Sequence, residues 1–249
     1  MLDGSPQGRT AWMKEPYRSG EEGYKGYPVY TDEELEQIVQ RAYREGRQLL
    51  AHCNGDAASQ QYIDAYEKAV ESVKEKKEIR PVIIHAQLMD EGQIEKAASL
   101  SMIASFFIAH IWHWGDTHIQ NFGKQRADKI SMARTALDKG LCFTFHQDSP
   151  VIKPDMFETI WCAVNRITRE GEVLGGEERI DVLDALKAVT INAAYQYFEE
   201  EEKGSLRPGK SADLIILDKN PLKADKSEIR YIRVLETIKE GKSIWKHSI

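Results

Sequence analysis

The sequence predicts an α/β fold, a parallel sheet with helices packed on it, followed by a small antiparallel β module. Three observations carry that expectation. From Gln48 onward, short apolar runs alternate with amphipathic stretches, and the strand–loop–helix unit recurs at spacings of about 20 to 40 residues, the pattern of βα units. After about residue 200 the alternation stops, and strand-like runs follow one another without a helix between the last two. Ahead of both, residues 1–30 are rich in glycine, proline and tyrosine without apolar periodicity and read as a long functional loop.

The elements follow in order. Thr31 and Glu34 form a capping box, Leu35, Ile38, Val39 and Ala42 keep helical spacing, and Gly46 supplies the stop. The run Gln48 to Cys53 is the first strand. Asp56 is the expected cap of a helix burying Tyr62, Ala65, Tyr66, Ala69, Val70 and Val73. Pro81 to His85 is the second strand, and Asp90 with Gln93 caps the next helix. Met102 to Ala109 is the third strand, leading through a loop to a helix with Ile130, Ala133 and Leu137, closed by Gly140. Leu141 to Phe145 is the fourth, before a helix with Phe157, Ile160, Trp161, Val164 and Ile167. A last helix runs from Asp181 to about Tyr197 into the acidic run Glu199 to Glu202, read as a solvated helix end. The β tail comprises Ala212 to Asp218, Val234 to Ile238, and Ser243 to Lys246 after a Gly241-Lys242 turn. The boundary is placed at residue 200, giving units 1–200 and 201–249.

Composition narrows the function classes. Lysine and arginine total 34 against 40 aspartates and glutamates, a net charge of −6 over 249 residues. That balance leaves no basic footprint for nucleic acid or an anionic membrane. No apolar run approaches the roughly 20 residues of a membrane span. MLDGSPQGRT has no apolar signal segment, and three cysteines at unrelated spacings point to a reducing, cytoplasmic setting.

The chemistry collects where the predicted strands end. His52 ends the first strand and His85 the second; His110 or His113 follows the third, and His146 with Asp148 follows the fourth. Six of the seven histidines lie at or beyond these ends. In barrels and open α/β sheets that edge is where loops converge on an active site. Two histidines and an aspartate from separate strands suit a metal bound by nitrogen and oxygen. The competing reading makes each a capped or hydrogen-bonded core residue. Trp112 and Trp114 read as pocket wall or packing, and the cysteines as inert.

These segments resemble the metal-dependent amidohydrolases, specifically their YtcJ-like branch. Leu50-Ala-His-Cys-Asn-Gly-Asp56 resembles the strand-five motif of that branch, and Arg80-Pro-Val-Ile-Ile-His85 the strand-six histidine motif. Phe145-His-Gln-Asp148-Ser-Pro-Val resembles the strand-eight aspartate motif. Thr190-Ile-Asn-Ala-Ala and the segment Gly204 to Leu217 resemble the junction with a C-terminal β-sandwich. Asp3-Gly4-Ser5 resembles a segment after strand four, which sets the first loop over the pocket mouth.

The resemblance implies the second half of a (β/α)₈ TIM barrel, strands four to eight, followed by a small β-sandwich module. It implies metal ligands His52, His85 and Asp148, with Asp148 also the general base, and a divalent ion, zinc, that activates water. Arg80, Asp116 and His118 become substrate contacts. The implied reaction is hydrolysis of non-peptide carbon–nitrogen bonds in small amides or cyclic amides.

One departure is informative. The family's His-x-His pair is absent from the sequence, and so is a counterpart of its strand-four bridging ligand. A full barrel needs roughly 250 residues, and about 200 precede the tail here, so strands one to three are expected to lie outside this chain. Three explanations stay open: a truncated reading frame, one half of a split enzyme, or a stable remnant. The non-enzymatic alternative is a non-catalytic remnant of the fold acting by assembly or regulation. An open half-barrel exposes strand edges and apolar interior, so a homo-oligomer or a missing N-terminal half is the expected partner.

Overall fold

The computed structural model describes residues 1–247. Four short strands, β1 (Leu50–Cys53), β2 (Val82–His85), β3 (Ile103–Phe106) and β4 (Cys142–Phe145), form a parallel sheet in the order β1-β2-β3-β4. Sequential parallel neighbours require a crossover after each strand, which the helices supply. The register runs straight across: His52 opposes Ile84, Ile84 opposes Ser105, and Ser105 opposes Thr144. The two central strands are apolar on both faces, with Val82, Ile83, Ile103, Ala104 and Phe106 fully buried.

The helices start where their caps dictate. In α1 (Asp32–Glu45) both halves of the Thr31–Glu34 capping box form, and Gly46 closes the helix with φ of 69°. In α3 (Glu91–Ser99), Asp90 and Gln93 form the same reciprocal pair. Helix α2 (Asp56–Glu71) has Gly55 as its cap, so Asp56 is its first helical residue rather than its cap. The Asp56 carboxylate instead accepts from the N–H groups of Lys14 (2.8 Å) and Ala57 (3.0 Å).

Four expectations are corrected between Met102 and Tyr197. Strand β3 ends at Phe106, and the expected loop after it contains a 13-residue helix, α4 (His110–Phe122). Its cap residue Ala109 has no side-chain hydrogen bond, so the usual start signal is absent. Its buried positions Ile111, Gly115, His118 and Phe122 do keep helical spacing, but a glycine and a histidine hide the stripe from a hydrophobicity count. After α5 (Lys124–Ala127), Ile130 precedes α6 (Ala133–Asp138) instead of lying in it. Ile167 lies beyond α7 (Met156–Asn165) and bridges Val173. The helix expected from Asp181 to Tyr197 is two, α8 (Val182–Ala188) and α9 (Ile191–Gln196), broken where Thr190 takes φ of −128°.

The tail is a three-stranded antiparallel sheet of β5 (Leu214–Leu217), β6 (Val234–Lys239) and β7 (Lys242–Lys246). Glu240 (φ 51°) and Gly241 (φ 75°) make the β6–β7 turn, two positive φ values in succession as a tight hairpin demands. This sheet is thinly covered, with Ile215, Ile216, Ile244 and Trp245 exposed. A 3₁₀ turn between β5 and β6, Lys226–Tyr231, packs on α7 and inserts Ile229 into the main core.

Candidate active site

The first histidine, His52, lies in β1, and the second, His85, is the last residue of β2. The register pairs His52 with Ile84, so a regular strand would turn His85 to the opposite face. The backbone leaves the strand instead, with φ of 74° at His85 and 48° at Ala86. The two rings then meet edge-on with centroids 4.5 Å apart. Non-glycine residues pay for this left-handed conformation, and consecutive examples concentrate at functional sites.

A third imidazole joins them. His146, just past β4, lies 3.1 Å from His85 Nδ1 through its Nε2, and its Nδ1 lies 2.8 Å from Ser105 Oγ on β3. Each of the four parallel strands, or its immediate exit, thus contributes one polar group to this edge. Burial holds His85 neutral, down to about 2, with His146 and His52 adding repulsion to a second positive charge. Burial lowers His146 to about 4. Neutral imidazole is the ligating form.

Asp3, wholly buried, stands behind His52. Its carboxylate accepts from the backbone N–H groups of Trp12 (3.0 Å), Asn54 (3.0 Å) and Gly55 (2.7 Å), and Oδ1 lies 3.3 Å from His52 Nδ1. The N-terminal loop is therefore fastened to the end of β1, where Leu2 N–H also donates to the His52 carbonyl (2.9 Å). Neither Asp3 nor His146 was among the expected site residues. His146 was visible as a strand-end histidine, whereas Asp3 carried no signal beyond its Asp-Gly-Ser context.

The other expected residues are dispersed. Asp148 is exposed on the turn after β4, with φ of 50°. Among the described residues, no three His, Cys, Asp or Glu side chains converge as a metal-holding group. The donor chemistry nevertheless fits a divalent cation: His52 and His85 are adjacent, and His52 Nδ1 is buried without a properly aligned hydrogen bond. Of the three expected ligands, His52 and His85 are the two that the structure brings together.

Arg80 lies before the start of β2, at the opposite end from His85. Glu200 accepts from both terminal nitrogens of its guanidinium (3.0 and 2.8 Å), and Glu78 from Nε (2.7 Å). The Tyr195 and Phe198 rings lie 3.7 and 4.1 Å from it. This corrects the acidic run as well, since Glu200 is a partner of Arg80 and not merely solvated. Asp116 and His118 both fall on α4. His118 is wholly buried against Phe122 and hydrogen-bonds His110 Nδ1 (3.0 Å), and Asp116 accepts from the Glu170 N–H (3.3 Å). Burial pushes the Cys53 thiol well above its ordinary range, which disfavours the thiolate.

A parallel α/β sheet with imidazoles gathered at the carboxyl ends of its strands makes this edge the candidate site. The chain belongs to the amidohydrolase family, whose sequence model matches residues 1–245. It is 28% identical over 252 residues to YtcJ of Bacillus subtilis (strain 168), covering 99% of this chain and 46% of that protein. It is 29% identical over 219 residues to the N-substituted formamide deformylase of Arthrobacter pascens, covering 87% of this chain and 40% of that one. A solved metal-dependent hydrolase from Pyrococcus furiosus superposes with a TM-score of 0.76 at 30% identity, covering 89% of this chain and 44% of that one. The chain thus spans less than half the length of these relatives.

Proposed function

We propose that this chain carries part of the active site of a metal-dependent hydrolase acting on non-peptide carbon–nitrogen bonds in small amides or cyclic amides. The observation that carries the reading is the meeting of His52, His85 and His146 at one edge of the parallel sheet. The names of the formamide deformylase and of the Pyrococcus hydrolase support the bond type and the metal dependence respectively.

His52 and His85 would hold a divalent cation, zinc being the usual choice of such donors, with Asp148 as the third ligand. When bound, that ion supplies an acidified water and a polarised carbonyl. Asp148 accepts the proton from the attacking water and returns it to the leaving nitrogen. Its turn leaves the carboxylate accessible for that traffic. Asp3 orients the His52 ring from behind. Asp116 and His118 serve substrate binding indirectly, by holding α4 beside the imidazoles, and Arg80 serves the sheet's far end.

Units 1–200 and 201–249 are the second half of a barrel and a sandwich module. The exposed apolar side chains of the tail sheet support association with a second copy or with a chain supplying the remaining barrel strands. The three cysteines are free, in keeping with the cytoplasm.

Metal content per chain, by mass spectrometry on protein purified without chelator, tests the reading. Near-stoichiometric zinc or another divalent ion that is lost in His52→Asn and His85→Asn supports it. Metal-free protein that takes up no zinc on titration overturns it. A solution mass above that of one chain is expected, and a monodisperse monomer would count against the association.

A further inference from the structure

Beyond the imidazole row, the same edge of the molecule carries a cavity of about 460 Å³, within the range of small-ligand sites. Its walls are His113 and Trp114 from α4, Ile152 and Lys153 from the turn after β4, Glu158 from α7, and Arg169. It lies one ring away from the imidazoles on one side and on the turn that follows Asp148 on the other. The Trp114 ring lies 6.0 Å from Phe107, which lies 5.4 Å from the His146 ring and 6.2 Å from that of His85. The turn holding Ile152 and Lys153 continues from Asp148, whose carbonyl accepts the Val151 N–H (2.9 Å).

The charges in this cavity are unequally satisfied. Glu158 is occupied at both oxygens, by His113 Nε2 (2.8 Å) and by Arg230 (3.2 Å). Arg230 is itself clamped between Trp112 and Trp161, 4.4 and 4.3 Å from their centroids. The other acid in the wall, Asp155, caps α7 by accepting from the Phe157 and Glu158 N–H groups (3.0 and 3.1 Å). Glu158 is thus committed at both oxygens, and the exposed Asp155 through Oδ1 alone.

The two cations are not. Arg169 spends one terminal nitrogen on His113 Nδ1 (2.9 Å), a contact to a neutral lone pair, and among the described residues it has no carboxylate partner. His113 is thereby fixed with its proton on Nε2, facing Glu158. Lys153 likewise has no carboxylate partner among the described residues. An aromatic and aliphatic wall flanked by an unpaired guanidinium and an unpaired ammonium is complementary to an anion on an apolar body.

We propose that this cavity is the subsite for a carboxylate carried by the amide substrate, bound by Arg169 and Lys153 beside Trp114 and Ile152. This deepens the hydrolase reading and rests on it for the word substrate. The preferred compounds are then acidic amides, such as acylated amino acids, rather than neutral ones.

The test is a binding titration of the full chain with hippurate (N-benzoylglycine) and its neutral twin N-benzoylglycinamide, followed by the indole N–H signals of the tryptophans. Hippurate is expected to bind at least about tenfold more tightly than the amide, about 1.4 kcal/mol of charge recognition. Arg169→Gln or Lys153→Gln should each erase most of that preference while leaving the amide's affinity unchanged. Lys153 is exposed and has no hydrogen bond to any of the described residues, so its variant stays informative if Arg169→Gln disturbs His113. Equal affinity for the two probes, no binding of hippurate, or a preference that survives both substitutions overturns the proposal. The titration involves no turnover, so failure of the hydrolase reading shows separately, as absence of bound metal.

Discussion

Arg80 and His85 stand at opposite ends of β2, both largely buried and both polar, yet their surroundings differ in kind. Arg80 is saturated: a two-pronged contact to Glu200, a second carboxylate from Glu78, the Tyr195 carbonyl, and a ring on each side. His85 sits in a strained backbone among other imidazoles, its charged form suppressed, with one hydrogen bond, to His146. A saturated buried group holds structure together, because its contacts leave no valence for a ligand. A neutral and underused one is available for chemistry. The contrast follows the general division of such sheets, stability at the amino ends of the strands and reactivity at the carboxyl ends.

The largest test of this contrast lies at the reactive end. With metal supplied in the assembled enzyme, Asp148→Asn should cut amide hydrolysis by about 100- to 10,000-fold, the weight of a general base, with little change in melting temperature. Undiminished turnover would remove Asp148 from the mechanism. At the other end the pattern should invert. Arg80→Ala should cost about 2–3 kcal/mol, because Glu200 and the Tyr195 carbonyl lose their partner, and should leave metal content untouched. Denaturant unfolding and metal analysis on the same sample read both quantities.

A pH series separates the two kinds of burial further. Burial lowers His118 to about 3 from its ordinary value of 6.5. The unfolded chain therefore binds a proton below pH 6.5 that the folded chain refuses. The stability involved is complete above that pH and drains away as pH falls toward 3, by up to about 1.4 kcal/mol per pH unit. His118→Gln keeps a hydrogen-bonding group for His110 and should flatten the slope by one proton. An unchanged slope would place the acid sensitivity elsewhere. The smallest effect belongs to Glu200→Gln, about 0.5–1 kcal/mol, since its side chain is 24% exposed and solvent screens its pairing with Arg80. A cost equal to that of Arg80→Ala would make the ion pair, and not the stacking, the main contribution at that end.

Much of this was legible in the residues. The capping boxes at Thr31 and Asp90 announced two helices, because side chain and backbone satisfy each other locally. The Val- and Ile-rich runs announced the central strands. Helix α4 escaped notice because its buried stripe includes Gly115 and His118, whose burial depends on what packs against them. His52 and His85 were recognisable as strand-end histidines, whereas Arg80, in the same motif as His85, was expected to contact substrate. Sequence adjacency put them together, and the length of the strand put them apart.

The chain's own order therefore determined the alternation of strands and helices, the change of pattern after residue 200, and the presence of histidines at strand ends. These depend on local periodicity and capping, which operate within a few residues. Tertiary structure decided which polar groups meet. The turn of His85 onto the face of His52, the arrival of Asp3 behind that ring, and the pairing of Arg80 with Glu200 each join elements distant in sequence. No local rule specifies such contacts, because they depend on the relative placement of whole strands and on the free energy of burying one polar group against another.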